Sequence, residues 1–529
     1  MCKMTCDMRW AALPRRSLLP AATTPRSALS PMGSMNAHYI GIDLGTTGVR
    51  VLRIDRSGTV VAAQSAAYPL LLPQPGWTEQ EPETWWAGTR QALRAVVMAD
   101  PSPVTAVGLS GQMHGSVFLD DDGASIRPAL LWNDQRTAKA AAEIEARVGL
   151  DRLRKITGNA ALTGFQAPKV LWLREFEPEH YRRVAAVLLP KDYLRYRLTG
   201  VLGTDASDAS GTLFLDLGTR DWSDQILRAL DVPRSWLPAV AESPVVTAHV
   251  SASGARETGL PAGTPVVAGA GDNAAAAIGS GIVRSGSGVI SLGTSGVVIA
   301  HEDDARIDRS GALHAFCAAV PGAYHLMGVM LSAGGSFRWF RDIVAGRSET
   351  YETLAAEAEG VSPGADGLTF LPYLSGERTP HMDPNARGAF VGLRLTHARA
   401  HLTRAVLEGI AYGLTDAVVR MRALGVDPPE FIATGNGMSS ELWRSIVAAA
   451  VGRPLRRLLV DEGPAFGAAL LAAVGAGDFP TVEAAVQSAV KLAPFAAAPA
   501  AELVRTYGFG YDTFARLYPA LRQAGAPSS

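Results

Sequence analysis

Two short segments of this chain nearly copy each other, and that duplication constrains the fold more than any other feature. Tyr39 to Gly48 reads YIGIDLGTTG, and Gly288 to Gly296 reads GVISLGTSG. Each is an apolar, β-branched run that breaks into Leu-Gly-Thr-[Thr/Ser]-Gly and then resumes. This is the pattern of two strands joined by a tight glycine turn. Glycine lets backbone N–H groups approach an anion closely, and neighbouring hydroxyls add donors. Two such loops facing each other across a cleft suit the phosphates of one nucleotide. The first copy carries an acid, Asp43, where the second carries Ser291. That asymmetry suggests one metal-side carboxylate in a site shared by two related domains. Neither segment fits the Walker pattern or GxGxxG. For either loop taken singly, a purely structural hairpin turn is the alternative.

A chain of 529 residues needs more than one core. Its formal net charge is -1 and it has no long basic stripe, which argues against an electrostatic nucleic-acid binder. Cys2 and Cys6 lie in a leader, and Cys317 stands alone in HAFCAAV. A disulfide framework or a cysteine zinc site is therefore excluded from the main body. A buried inert thiol and a reducing compartment, the cytoplasm, are expected. Residues 1–35 are basic and rich in Pro, Ser and Ala, without the apolar stretch of a secretory signal. They read as an upstream extension with Met35 as the start, an organellar presequence being the alternative. No apolar stretch is long enough to span a membrane.

Folded sequence begins about His38. Strand patterns fall at Val49–Ile54, Thr59–Gln64, Val104–Leu109 and Val266–Ala270, and helical ones at Trp85–Met98, Ala138–Val148, Lys169–Phe176 and Lys191–Leu198. The second half repeats the mixture, with strands at Gly288–Ile299 and Tyr324–Met330. Helices are predicted from about Ser336, over Leu402–Leu424 and Glu441–Val451, and from Glu462. Strands alternating with helices indicate an α/β protein, with one large duplication rather than a short-period repeat. The polar VRSGSG joint before Val289 sets the expected domains at 36–284 and 285–529.

The further motifs are LSGQMHG (Leu109–Gly115), LLWNDQR (Leu130–Arg136), TDASDASGT (Thr204–Thr212), GAGDNAAAAIG (Gly269–Gly279) and FLPYLSGERTPH (Phe370–His381). With the two Gly-Thr loops, they make the chain resemble the FGGY family of carbohydrate kinases from about Tyr39 to about Gly477. The resemblance implies two actin-like, ribonuclease H-like ATPase domains with a deep interdomain cleft. The N-terminal domain would be mainly sugar-binding and the C-terminal one mainly nucleotide-binding. It also implies ATP and Mg2+ as partners and a ketopentose as acceptor; no nucleic-acid or membrane partner is expected, on the charge and hydropathy given above. Dimers are common among such enzymes. The QMHG string looks like that of members phosphorylating D-xylulose at its C5 hydroxyl.

Asp272 follows the VVAGAG strand, where a carboxylate can accept a sugar hydroxyl's proton as the bond to phosphorus forms. The resemblance places the catalytic aspartate there, and an N-cap on the run from Asn273 is the alternative. Asp43 is expected to hold magnesium, or otherwise to stabilise its turn. Gly45, Thr46 and Thr47 would form the first phosphate loop, and Gly293, Thr294 and Ser295 the second. Arg50 would reach the transferred phosphate, unless it is an ordinary structural arginine. Met113 and His114, between glycines after a strand, would face the sugar, supported by Gln112. Trp132 and Asn133, with Asp134 and Arg136, form a polar cluster on a substrate-side loop, and Asn273 is a candidate for a second sugar hydrogen bond. On the adenine side stand Gly334 and Gly335, then Gly435, Gly437 and Met438. There the family usually shows a triple glycine, and Asn436 and Met438 add bulk. Glu377 and Arg378 read as an ordered connecting loop with internal ion pairs, outside the site. Two other functions stay open: a kinase for another ketose or polyol, such as a deoxy-ketose, and a regulatory protein binding ATP and sugar without useful turnover.

Overall fold

The computed structural model describes residues 37–525, apart from the side chains of 494–496, 524 and 525. The reading of 1–35 as an extension falls outside them. The first sheet contains β1 (His38–Leu44), β2 (Gly48–Asp55), β3 (Val60–Ala67), β4 (Val104–Gly111), β5 (Val246–His249), β6 (Pro265–Val267) and β7 (Ala270–Gly271). Their order is β5-β6-β4-β1-β2-β3, with β7 also beside β4. The second contains β8 (Gly288–Leu292), β9 (Gly296–Glu302), β10 (His314–Cys317), β11 (Tyr324–Met330), β12 (Phe431–Thr434), β13 (Leu455–Leu458) and β14 (Leu492–Ala497). Their order is β10-β11-β9-β8-β12-β13-β14.

The sequence duplication reappears as a pairing duplication. β1 runs antiparallel to β2 and parallel to β4, and β8 runs antiparallel to β9 and parallel to β12. Each Gly-Thr loop therefore closes a hairpin at the carboxyl end of a parallel pair, where α/β sheets bind ligands. β1 is buried almost throughout, as a strand covered on both faces must be. Helix α1 (Pro82–Met98) lies against β2 and β3, and α3 (Arg399–Ala423) against β9 and β11. Between these, α2 (Asp272–Gly279) follows β7 directly. The largest cover on β1 and β4 is α4 (Gly463–Gly475), which comes from far downstream. A Cβ on Gly41 or Gly108 would run into the carbonyl oxygens of Ala465 or Ala468, and one on Gly467 into that of Ala275 in α2. By sequence α4 belongs to the segment 285–529. By packing it completes the first sheet.

The expected strand Val266–Ala270 is interrupted. Gly269 takes φ 88, and the N–H groups of Ala268 and Gly269 turn to the carbonyls of Val245 and Ser243. The break offsets β7 from β6 along β4 and leads the chain into α2 at Asp272. The helix expected from Ser336 starts at Gly334. Cys317 is buried, and burial pushes its thiol up to about 12, which makes it inert. Among the described residues no helix is long and apolar enough to cross a membrane.

Candidate active site

Asp43 pairs with Ser110 across β1 and β4, and Ser110 with Ala270 across β4 and β7. Asp43 and the approach to Asp272 therefore lie at the same level on either side of Ser110, where parallel strands end. Burial pushes the Asp43 carboxyl up to about 6, with the neighbouring Ser110 hydroxyl acting in the opposite direction. Its Oδ1 has no hydrogen-bond partner. The Asp272 carboxyl is pushed up to about 7, first by burial and then by the charge on Asp43. Its Oδ1 accepts the Asn273 main-chain N–H at 2.7 Å and Nδ2 at 3.0 Å. Among the described residues no protein donor bonds Oδ2, which leaves that oxygen open to a proton. The N-cap alternative does not hold, since Gly271 occupies the cap and Asp272 is already helical.

The first loop is held by side chains around it. Gly45 N–H bonds the Gly48 carbonyl at 3.0 Å. The Thr46 hydroxyl donates to Gln112 Oε1 at 3.2 Å and accepts from Trp132 Nε1 at 3.0 Å. Gln80 Nε2 bonds the Thr46 carbonyl at 2.7 Å, and Gln112 Nε2 bonds Gln80 Oε1 at 3.1 Å. Thr46 is thus committed to shaping the loop, and the exposed Thr47 stands at its tip. Trp132, expected as a wall for sugar, braces this loop. In the second loop Gly293 N–H bonds the Ser295 carbonyl at 3.0 Å, and Thr294 is exposed. The N–H groups of Gly334 and Gly335 bond the carbonyls of Gly293 and Thr294, both at 2.9 Å. A Cβ at Gly334 would meet the Gly293 carbonyl oxygen at 2.5 Å, so glycine there lets the next helix dock on the loop. Arg50 faces Glu462, the cap residue of α4, with Nε 3.0 Å from Oε2. The structure commits that guanidinium to an ion pair rather than leaving it free for phosphate.

On the sugar side, Met113 is buried and its sulfur lies 3.8 Å from Asn273 Nδ2. His114 adopts φ 69, an uncommon conformation for a non-glycine residue. Its Nδ1 is 2.6 Å from the Gly211 carbonyl, so Nδ1 carries the proton and Nε2 is an acceptor. Burial pulls the imidazole down to about 3, which keeps it neutral. The Asn133 Oδ1 is buried without a partner. Asp134 and Arg136 are engaged elsewhere. Arg136 bonds Asp134 and Glu79, both at 2.7 Å, and lies 3.7 Å over the Trp77 ring. They brace the loop.

A cavity of about 550 Å³ opens beside the second loop, a volume suited to a small-molecule ligand. Gly293, Thr294 and Gly334 contribute to its lining, with Phe337, Tyr351 and Trp443 supplying aromatic faces. Asn436 and Gly437 also line it. Gly335, Gly435 and Met438 do not. Met438 is buried in the core, and its carbonyl accepts from Arg444 at 2.7 Å. Gly435 has φ 84, and a Cβ there would meet the Leu292 carbonyl oxygen at 2.7 Å. These two serve the turn and the core.

Two lysines were not singled out from sequence. Lys169 is fully buried, and its Nζ donates to the carbonyls of Phe165 at 2.9 Å, His114 at 3.2 Å and Gly164. It fastens the sugar-side loop to His114. Lys191 is equally buried, with Nζ 2.5 Å from Asp192, 2.9 Å from Asp205 and 3.6 Å from Asp208. A Cβ on Gly271, beside the base, would lie 3.3 Å from Asp208 Oδ1. A lysine in a run such as KDYLRYRL reads as a solvated helix face. The acid-rich TDASDASGT was the only available signal of a buried counter-charge.

The model of the FGGY family of carbohydrate kinases matches with its N-terminal domain at residues 38–279 and its C-terminal domain at residues 288–476. A xylulose kinase of Escherichia coli is 43% identical over 486 residues, covering 91% of this chain and 99% of its own. One from Bacillus subtilis is 38% identical over 484 residues, covering 91% and 96%. Among solved structures, a xyloylose kinase from Brucella ovis superposes with TM-score 0.87 at 38% identity, covering 92% of this chain and 100% of that one. A xylulose kinase from Rhodospirillum rubrum gives TM-score 0.86 at 32% identity, covering 92% and 99%.

Proposed function

The chain belongs to the FGGY family of carbohydrate kinases, and from that premise we propose that it transfers the γ-phosphoryl group of ATP to the C5 hydroxyl of D-xylulose, giving D-xylulose 5-phosphate and ADP. The observation that carries this reading is the position of Asp272. Its open Oδ2 lies at the strand end shared with Asp43, and its neighbour Asn273 touches Met113 beside His114. Asp272 Oδ2 takes the hydroxyl proton as the new O–P bond forms and the bond to the β-phosphate breaks. His114 Nε2 accepts a sugar hydroxyl. The main-chain N–H groups left free in the two Gly-Thr loops, with the exposed Thr47 and Thr294, hold phosphate oxygens in place. Closure around both substrates excludes water, the competing acceptor.

Kinases of this family use ATP with magnesium. The orphaned Oδ1 of Asp43 fits that cation. No cluster of three or more His, Cys, Asp or Glu side chains able to hold a metal occurs among the described residues. Asp43 would therefore be the protein's carboxylate on the cation, with phosphate oxygens and water as the other ligands. Bound there, magnesium neutralises charge on the transferring phosphate.

The deciding experiment is coupled ADP release across a panel of ketoses and polyols. Turnover confined to a sugar other than D-xylulose overturns the proposal, as does sugar binding without ADP release. Two substitutions test the parts. Asp43→Ala should shift the dependence of rate on free magnesium to higher concentration at fixed ATP, and an unchanged curve would leave Asp43 a turn residue. His114→Ala should raise KM for D-xylulose by about tenfold, the worth of one good hydrogen bond, while the Kd of ATP alone barely moves. Direct titration of both ligands checks this, and a collapse of ATP affinity instead would exchange the two sides of the cleft.

A further inference from the structure

Glu377 and Arg378 were expected in an ordered connecting loop with internal ion pairs, outside the site. Their side chains form no ion pair with each other. Glu377 Oε1 accepts the main-chain N–H groups of Leu331 at 2.9 Å and Arg378 at 2.8 Å. The next residue, Thr379, donates its hydroxyl to the Ala312 carbonyl at 2.7 Å and accepts the Val329 N–H at 3.0 Å. The backbone around Arg378 is thus pinned to the second sheet. Among the described residues its guanidinium makes no hydrogen bond and no ion pair, although burial pulls its pKa down. A half-buried cation with five donors and no acceptor among the described residues, lining a pocket, points to a ligand oxygen.

The pocket that Arg378 lines is small and specific. Its volume is about 10 Å³, room for roughly one oxygen-sized group. Phe165, Phe316 and Met327 contribute to its apolar walls, and His114 and His314 supply the other polar groups. His314 and Phe316 are two apart on β10, so both side chains face the same side. His314 Nδ1 is 2.8 Å from Asn159 Oδ1. The Asn159 amide is oriented by its own donation to the carbonyls of Thr157 at 3.0 Å and Ala315 at 2.8 Å. The Nδ1 proton of His314 is therefore fixed, and its Nε2 is a bare acceptor, as is that of His114. Burial pulls both imidazoles down to about 3. One set of donors and two lone pairs call for a group that both accepts and donates. A hydroxyl does so. A carbonyl cannot donate, and an anion would face two lone pairs.

We propose that this pocket takes the C1 hydroxymethyl group of the ketopentose, Arg378 donating to its oxygen and a histidine Nε2 accepting its proton. The inference rests on the proposed function, since it follows from the C5 hydroxyl lying at Asp272. Met113 touches Asn273 beside the base, and His114 is the next residue along. A five-carbon chain that begins at Asp272 and passes Met113 ends at His114. Arg378, carried by the second domain's sheet, thereby reads the end of the sugar remote from the chemistry.

The test compares D-xylulose with 1-deoxy-D-xylulose, which lacks only the C1 hydroxyl. In the unmodified enzyme kcat/KM should favour D-xylulose by about 10- to 100-fold, the range for a hydrogen bond to a charged group. Arg378→Leu should bring the ratio to within about threefold by lowering the D-xylulose value, while the deoxy sugar changes little. An unchanged ATP Kd shows that the variant is folded. Arg378→Lys keeps the charge but loses the planar fork, and should lie between. Equal use of the two sugars by the unmodified enzyme overturns the inference without any variant. So does an Arg378→Leu enzyme that keeps the unmodified ratio. Turnover of D-xylulose with the ratio retained leaves the proposed function standing and removes only the role of Arg378. No turnover of either sugar overturns both.

Discussion

Replacing Asp272 with asparagine lowers kcat by roughly 100-fold or more, the usual loss for a general base, while ATP and sugar binding remain measurable. Asparagine keeps an oxygen for the Asn273 N–H but has no basic oxygen to take the hydroxyl proton. The pH profile gives a second readout. A base must be ionised to act, and the Asp272 carboxyl is pushed up to about 7 by burial and by Asp43. In the unmodified enzyme kcat/KM for sugar should therefore fall as pH drops through that region, by about tenfold per unit. Magnesium beside Asp43 cancels the second cause, so raising its concentration should move this limb towards acid. Asp272→Asn should lack the limb altogether. Stability separates this from unfolding. A carboxyl whose folded pKa lies above its unfolded value costs stability as pH rises between the two. Removing that charge should leave the melting temperature at pH 8 at or above that of the parent. Near-parent kcat in this variant would sink the assignment.

The largest expected loss of stability is at Lys191. Burial works against its charge, but Asp192, Asp205 and Asp208 outweigh it and hold its pKa above the usual lysine value. Burial in turn holds the Asp208 carboxyl well above the usual range, with Lys191 pulling it down. Lys191→Met preserves bulk and leaves three buried carboxylates without their cation. Breaking a buried ion cluster from one side costs about 3–5 kcal/mol, and urea or thermal unfolding should show it. The sign with pH is fixed. Losing the ammonium raises the folded-state pKa values of Asp192 and Asp208 further, while the unfolded values stay near 3.9. Stability is then lost progressively as pH rises, so the deficit should be larger at pH 8 than at pH 5. An equal deficit at both would mark lost packing rather than lost charge. Because Asp208 lies next to Gly271, kcat should fall as well.

The sequence by itself determined the repeated unit. An apolar run, a Gly-Thr turn and a second apolar run state locally that a hairpin forms, and they state it twice. The strand end at Asp272 and the turn at Asp43 were legible for the same reason, since glycine and acid at a strand terminus are short-range signals. What surrounds those residues was not legible, because it is built from contacts between distant parts of the chain. The completion of the first sheet by α4 depends on Gly41 and Gly108 admitting a backbone from far downstream. Met438 follows a glycine turn and looked like part of a loop over nucleotide, but the turn directs it into the core. Arg50 met Glu462, Trp132 met Thr46, and Lys169 met the His114 carbonyl. Arg378 and Glu377 are adjacent in sequence, yet the acid bonds main-chain N–H groups and the guanidinium turns to a pocket shared with His114. Hydrogen bonding and ion pairing depend on distances of a few ångströms and on direction. Residues dozens or hundreds of positions apart acquire both only when two sheets and their covering helices are packed.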